Sequence, residues 1–158
     1  MKPEVMIIVF SLLMLIAVAI AVIRILLVRN KIDQLKSSSL EMTPEEFFRM
    51  RNASNGGRGR RHISTGMDFP GIYILYNETK NMYCIGKGQK VLSRVNSQFT
   101  GHGNGDVYAD YKYGCKFKIS TIALEGSGFA TLNDLERNAI QRYSAFSHGY
   151  NKTRGSKK

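Results

Sequence analysis

The sequence predicts an α+β domain mounted on one membrane-spanning helix, and three observations carry that expectation. Residues 5–23 run nineteen positions without a charge. Residues 71–86 hold two alternating apolar stretches around the polar turn 77–81, the pattern of an antiparallel hairpin. Residues 89–100 and 131–146 carry apolar side chains at steps of three and four, the stripe of an amphipathic helix in each case.

With 158 residues, 23 Lys plus Arg against 12 Asp plus Glu, and a formal charge of +11, the chain suits one modest domain and polyanionic partners. Charge alone does not choose among nucleic acid, an anionic lipid surface and plain solubility. The excess is spread over both halves, ten basic against six acidic residues up to Phe69 and thirteen against six beyond it. Two cysteines, Cys84 and Cys115, are too few for the disulfide framework of a small secreted domain. A reducing compartment and core packing are therefore expected for them, with a single disulfide as the alternative.

Taking the elements in order, a helix rising 1.5 Å per residue over 5–23 crosses about 30 Å of hydrocarbon, and the apolar run continues past Arg24 to Val28. A signal peptide is the rival, since Ala17, Ala19 and Ala21 offer small residues for cleavage. Against it, the leading segment has only Lys2 beside Glu4. Arg24, Arg29, Lys31 and Lys36 follow the run and bias the C-terminal portion to the cytoplasm. Residues 1–29 are thus expected to anchor a single-pass protein in the cell membrane, contacting lipid through 5–28.

Residues 30–69 are expected to form a basic linker with one short helix. Thr43, Pro44 and Glu46 offer a capping hydroxyl, a first-turn proline and the carboxylate of a capping box, so a helix is expected near 44–51. The glycines and arginines of 52–62, Arg58, Arg60 and Arg61 among them, suit either a solvated linker or a basic arm that touches phosphates.

The domain proper is expected over 70–152, followed by a basic tail at 153–158. Its first strand sends Ile72, Ile74 and Tyr76 to one face and Tyr73 and Leu75 to the other. The returning strand sends Cys84 and Gly86 to one side, Tyr83 and Ile85 to the opposite one. The helix within 89–100 buries Val91, Leu92, Val95 and Phe99, while Lys87, Lys90, Arg94 and Gln98 suit either a ligand-facing wall or a solvated face. A short helix at 107–113, a third strand at 117–124 and a helix at 131–146 complete the reading. Glu136 falls inside the apolar stripe of that last helix. A carboxylate there needs a compensating cation, either an arginine or a bound divalent metal.

Five features in fixed order make residues 69–152 resemble the GIY-YIG endonuclease family. They are Gly71-Ile72-Tyr73, Cys84-Ile85-Gly86, Arg94 ten residues after Cys84, Glu136 on a later helix, and the closing Gly149-Tyr150-Asn151. The resemblance implies a three-stranded antiparallel sheet flanked by helices. It also implies metal-dependent hydrolysis of nucleic-acid phosphodiesters, DNA foremost, leaving a 5′-phosphate and a 3′-hydroxyl. In that scheme Glu136 holds one Mg²⁺ or Mn²⁺, Arg94 neutralises transition-state charge with help from Lys87, and Tyr73 orients or deprotonates the attacking water. Asn151 supports the site by hydrogen bonding, and Lys90, Gln98 and His102 contact the substrate. Cys84 stands where the family has its second tyrosine, and Gln98 where it has His or Tyr. Those two departures leave open a catalytically weakened domain that binds nucleic acid, and a Cys84 thiolate serving as base.

Overall fold

In the computed structural model, which describes residues 3–54, 63 and 65–156, the apolar N-terminus forms one 36-residue helix, α1 (Pro3–Ser38). It is long and apolar enough to cross a membrane, and its side chains from Val5 to Leu27 are exposed. The helix does not stop at residue 29. It continues to Ser38 because its last turns pack on the folded domain: Ile32 is fully buried, Asp33 accepts from Arg142 Nε at 2.9 Å and from Tyr143 Oη at 3.1 Å, and Lys31 Nζ donates to the Gly128 carbonyl at 3.0 Å.

After α1 the chain makes a two-residue strand, β1 (Glu41–Met42), and then α2 (Pro44–Ser54). The capping box forms as expected. Thr43 Oγ1 accepts from the Glu46 amide at 3.2 Å, and Glu46 Oε2 accepts from the Thr43 amide at 2.7 Å. Phe47 is fully buried, so α2 is docked on the domain rather than suspended in a tether. Arg58, Arg60 and Arg61 lie outside the described residues.

A 3-10 turn (Thr65–Met67) leads into β2 (Gly71–Asn77), β3 (Met82–Gly88), α3 (Val91–Phe99), α4 (Gly105–Lys112), β4 (Phe117–Ala123) and α5 (Leu132–Arg142). The last helix is shorter than its apolar pattern. It ends at Arg142, and Ser144 adopts a left-handed conformation with φ 52°.

The sheet is antiparallel throughout and has four strands, not three, in the order β1-β4-β2-β3. The extra strand comes from the segment expected to be a linker, where Glu41 and Met42 pair with Ser120 and Ile119. Two residues are too few to register as a periodicity.

The sheet separates two cores. On one face Tyr73, Leu75 and Cys84 pack with Phe47 of α2, with Val91, Val95 and Phe99 of α3, and with Val107 of α4. On the other face Ile72, Ile74 and Ile85 pack with Ile32 of α1 and with Leu135, Ala139 and Ile140 of α5. The alternation of β2 and β3 therefore decides which helix each side chain meets.

Candidate functional site

Tyr73 and Gly86 are direct partners across the hairpin. A Cβ at position 86 would collide with Tyr73 Oη, so the phenol lies across the glycine, and that is the physical reason for a glycine near the end of the returning strand. One helix-turn after Arg94, the buried Gln98 donates from Nε2 to Tyr73 Oη at 2.8 Å and accepts from the Asn104 amide through Oε1 at 2.8 Å. A backbone N–H only donates, which fixes the orientation of the Gln98 amide and makes the Tyr73 oxygen an acceptor. The Tyr73 proton is left free to donate elsewhere.

The helix that carries these groups is capped from a distance. Asp68, which precedes β2, accepts from the Leu92 amide at 2.7 Å, the Ser93 amide at 3.1 Å and Ser93 Oγ at 2.6 Å. Satisfying the orphan amides of the first turn locks α3, and with it Arg94 and Gln98, against the hairpin. Arg94 is exposed, with its stem over Gly88, where a Cβ would approach Arg94 Cγ to 2.8 Å. Among the described residues it makes no ion pair.

Asn151 closes the open edge of β3. Its Nδ2 donates to the Ile85 carbonyl at 2.7 Å and its Oδ1 accepts from the Ile85 amide at 2.8 Å, while the Tyr150 amide donates to the Tyr83 carbonyl at 2.9 Å. A side-chain amide thus replaces a missing neighbouring strand. Tyr150 is fixed in turn, donating to Asp110 Oδ2 at 2.6 Å and accepting from Asn77 Nδ2 at 2.6 Å.

Tyr73, Cys84, Arg94, Gln98, His102 and Asn151 accordingly meet at one cleft of about 320 Å³. Asn104, Tyr150 and Lys152 line it too. Sequence reasoning passed over Asn104 and Lys152, and only the position of Lys152, next to Asn151, could have flagged it. Lys90 is exposed at the start of α3 and does not line the cleft. Tyr83 cannot stand in for Cys84, because it stacks between Tyr76 and Tyr143 on the opposite face, with ring centroids 4.5 and 4.8 Å away.

Glu136 stands on α5, on that same opposite face, and like Lys87 it does not line the cleft. It is only 9% exposed, and its Oε2 lies 3.0 Å from Lys87 Nζ and 3.5 Å from the Ser156 amide. The compensating cation is therefore Lys87. Rather than beginning a wall with Lys90 and Arg94, Lys87 turns away from them and also binds Asn133 Oδ1 at 2.5 Å and Ser156 Oγ at 2.6 Å.

Electrostatics link the two sides. Burial pushes the Tyr73 phenol well above its ordinary value, Cys84 adds to this, Arg94 opposes it, Glu136 pushes it up again, and the Gln98 hydrogen bond lowers it. Tyr73 is thus protonated at neutral pH. Burial pushes the Cys84 thiol up to about 12, so it too is neutral and no thiolate base is formed in advance.

Among the described residues no group of three or more His, Cys, Asp or Glu side chains converges on a point. Glu136 Oε1 accepts no hydrogen bond among them. One carboxylate with one open oxygen suits Mg²⁺ or Mn²⁺ in the mode that relies mainly on water and substrate phosphate; it does not suit a metal that needs a protein cage. No family model, curated protein or solved structure matches the chain.

Proposed function

We propose that this chain is a membrane-anchored endonuclease of the GIY-YIG kind, cutting phosphodiester bonds of nucleic acid, DNA foremost. The observation that carries the proposal is the convergence of Tyr73, Arg94, Gln98 and Asn151 on one cleft; Glu136 stands outside its lining and acts on Tyr73 through its charge alone.

Each residue has a part its chemistry can perform. Arg94 has no acidic partner among the described residues and offers a planar donor fork to a phosphate. Tyr73, held by Gln98 and still protonated, orients a water or a phosphate oxygen through its free O–H. Asn151 keeps the Ile85 backbone rigid beneath the cleft, and His102 and Lys152 stand at its rim. Glu136 is the residue to hold Mg²⁺ or Mn²⁺, which when bound supplies charge stabilisation at the phosphate oxygens. The helix α1 anchors the domain, and Arg24, Arg29, Lys31 and Lys36 favour its cytoplasmic side.

One observation favours a second reading, a domain that holds nucleic acid without cutting it. Lys87 already neutralises Glu136, and Ser156 lies against the same carboxylate. Digestion of single-stranded, branched and duplex DNA with Mn²⁺ separates the two. Cleavage by the wild type that falls about 100-fold or more in Glu136→Ala and in Arg94→Ala supports the nuclease. Salt-sensitive binding with no cleavage supports the second reading, and equal cleavage by wild type and Glu136→Ala defeats the first.

A further inference from the structure

A groove of about 160 Å³ lies between α1 and α5, lined by Arg24, Ile25, Val28 and Arg29 from the first helix and by Gln141 and Arg142 from the last. Its location follows from the way α1 docks. Ile32 and Asp33 hold α1 on the domain, the latter through Arg142 and Tyr143. Arg24 and Arg29 sit on the turns before that contact, between it and the uncharged run 5–23. When 5–23 fill a hydrocarbon layer about 30 Å thick, Arg24 falls at its boundary and the groove at headgroup depth.

The lining matches that depth chemically. No acidic residue lines the groove, and Arg24 and Arg29 are exposed with no ion pair among the described residues. Arg142 is aligned by Asp33, 2.8 Å from its Nη2, which offsets its charge and leaves the net attraction to Arg24 and Arg29. Ile25 and Val28 add an aliphatic wall. Gln141 is shared with a second hollow of about 350 Å³ bordered by Arg137, whose charge Asp134 offsets, and by Phe146 and Arg154. Guanidinium forks beside an aliphatic wall suit a phosphate that is joined to acyl chains. A free anion would use the forks alone, and a nucleic acid lying in the groove would run into the bilayer.

We infer that this groove binds the phosphate of an anionic phospholipid from the leaflet beside the domain, fixing the attitude of the domain on the membrane. The inference rests on α1 being a membrane span. The test titrates the detergent-solubilised full chain with phosphatidylglycerol, phosphatidylcholine or inorganic phosphate and counts bound molecules by native mass spectrometry. Phosphatidylglycerol binds in preference to the other two. The double variant Arg24→Gln/Arg29→Gln weakens it about 30-fold, the combined effect of two guanidinium groups at an anionic headgroup. Arg49→Gln/Lys116→Gln removes the same charge elsewhere and leaves binding unchanged.

Equal binding of phosphatidylcholine, full competition by inorganic phosphate, displacement by an oligonucleotide, or an equal loss in the control variant would each overturn the inference. Alkaline carbonate extraction of native membranes keeps the two layers of the argument apart. A chain released by carbonate refutes the span and the groove together, whereas a retained chain with no lipid preference refutes the groove alone.

Discussion

Gln98 bridges Tyr73 and Asn104, giving an N–H to the phenol oxygen at 2.8 Å and taking the backbone N–H at 2.8 Å with the other end of the same amide. Leucine at 98 would strand both partners, and a stranded polar group costs about 1–3 kcal/mol. Gln98→Leu should therefore lower unfolding stability by about 2–4 kcal/mol, measured by denaturant unfolding of the solubilised chain. Gln98→Glu is the sharper variant. Its carboxylate still accepts from Asn104 but reverses the bond to Tyr73, which must now donate. The free Tyr73 proton is consumed and a carboxylate is buried without a cation, so nuclease activity should fall together with a stability loss of about 1–3 kcal/mol.

Asn151 makes a different kind of contact, one in which a single functional-group change tests the geometry. Both of its amide atoms engage the Ile85 backbone. Aspartate keeps the acceptor for the Ile85 amide but loses the donor and sets a charge against the Ile85 carbonyl. Asn151→Asp should cost about 2 kcal/mol or more and speed hydrogen exchange at the Ile85 amide. Asn151→Ala removes that acceptor as well and should expose the Ile85 amide more fully, without the repulsion.

The contrast between these two residues shows what was legible in the chain. The hairpin, the apolar stripe of α3 and the Thr43 capping box are local patterns, and each formed where its periodicity pointed. The parity of β3 was legible as well: Lys87 shares the face of Ile85, so its departure from the Arg94 side was already written in a period of two. The continuation of α1 to Ser38 was not, because Ile32 is apolar in a polar stretch and becomes helical core only when α5 covers it. Nor was the Asp68 cap, which serves a helix across an intervening hairpin. Where Gln98 and Cys84 depart from the GIY-YIG pattern that residues 69–152 resemble, sequence could name the departure but not its outcome, a hydrogen-bond bridge in one case and a neutral buried thiol in the other.

Asp110 gives a pH dependence with a definite sign. Burial raises its carboxyl, but hydrogen bonds from Lys80 and Tyr150 outweigh this and hold it below the ordinary value of 3.8. As pH falls, the unfolded chain takes up the proton first, so the contribution is fully present above 3.8 and is lost as pH drops through the lower folded value. The Lys80 ammonium is raised above 10.5 by the same hydrogen bond, so its share lasts below that value and lapses as pH rises through the folded one. Urea midpoints measured from neutral pH into acid should fall more steeply for the wild type than for Asp110→Asn, whose stability is already lower at neutral pH.

On the proposed function, the Lys87 and Glu136 pair is what a divalent ion would have to open. Their charged atoms are 3.0 Å apart, with side-chain exposures of 24% and 12%, so water screens the pair only in part. Replacing Lys87 with methionine leaves a half-dry carboxylate unpaired; the cost should be roughly 1–3 kcal/mol, less than in a fully dry site. It also removes the rival of the metal. Mn²⁺ should raise the melting temperature of Lys87→Met more than that of the wild type, because binding to the native state alone stabilises it by mass action. In Lys87→Met/Glu136→Gln the melting temperature should recover and the response to Mn²⁺ should vanish. A Lys87→Met protein that ignores Mn²⁺ would leave Glu136 a structural partner of Lys87, and the cleft a place that binds nucleic acid without cutting it.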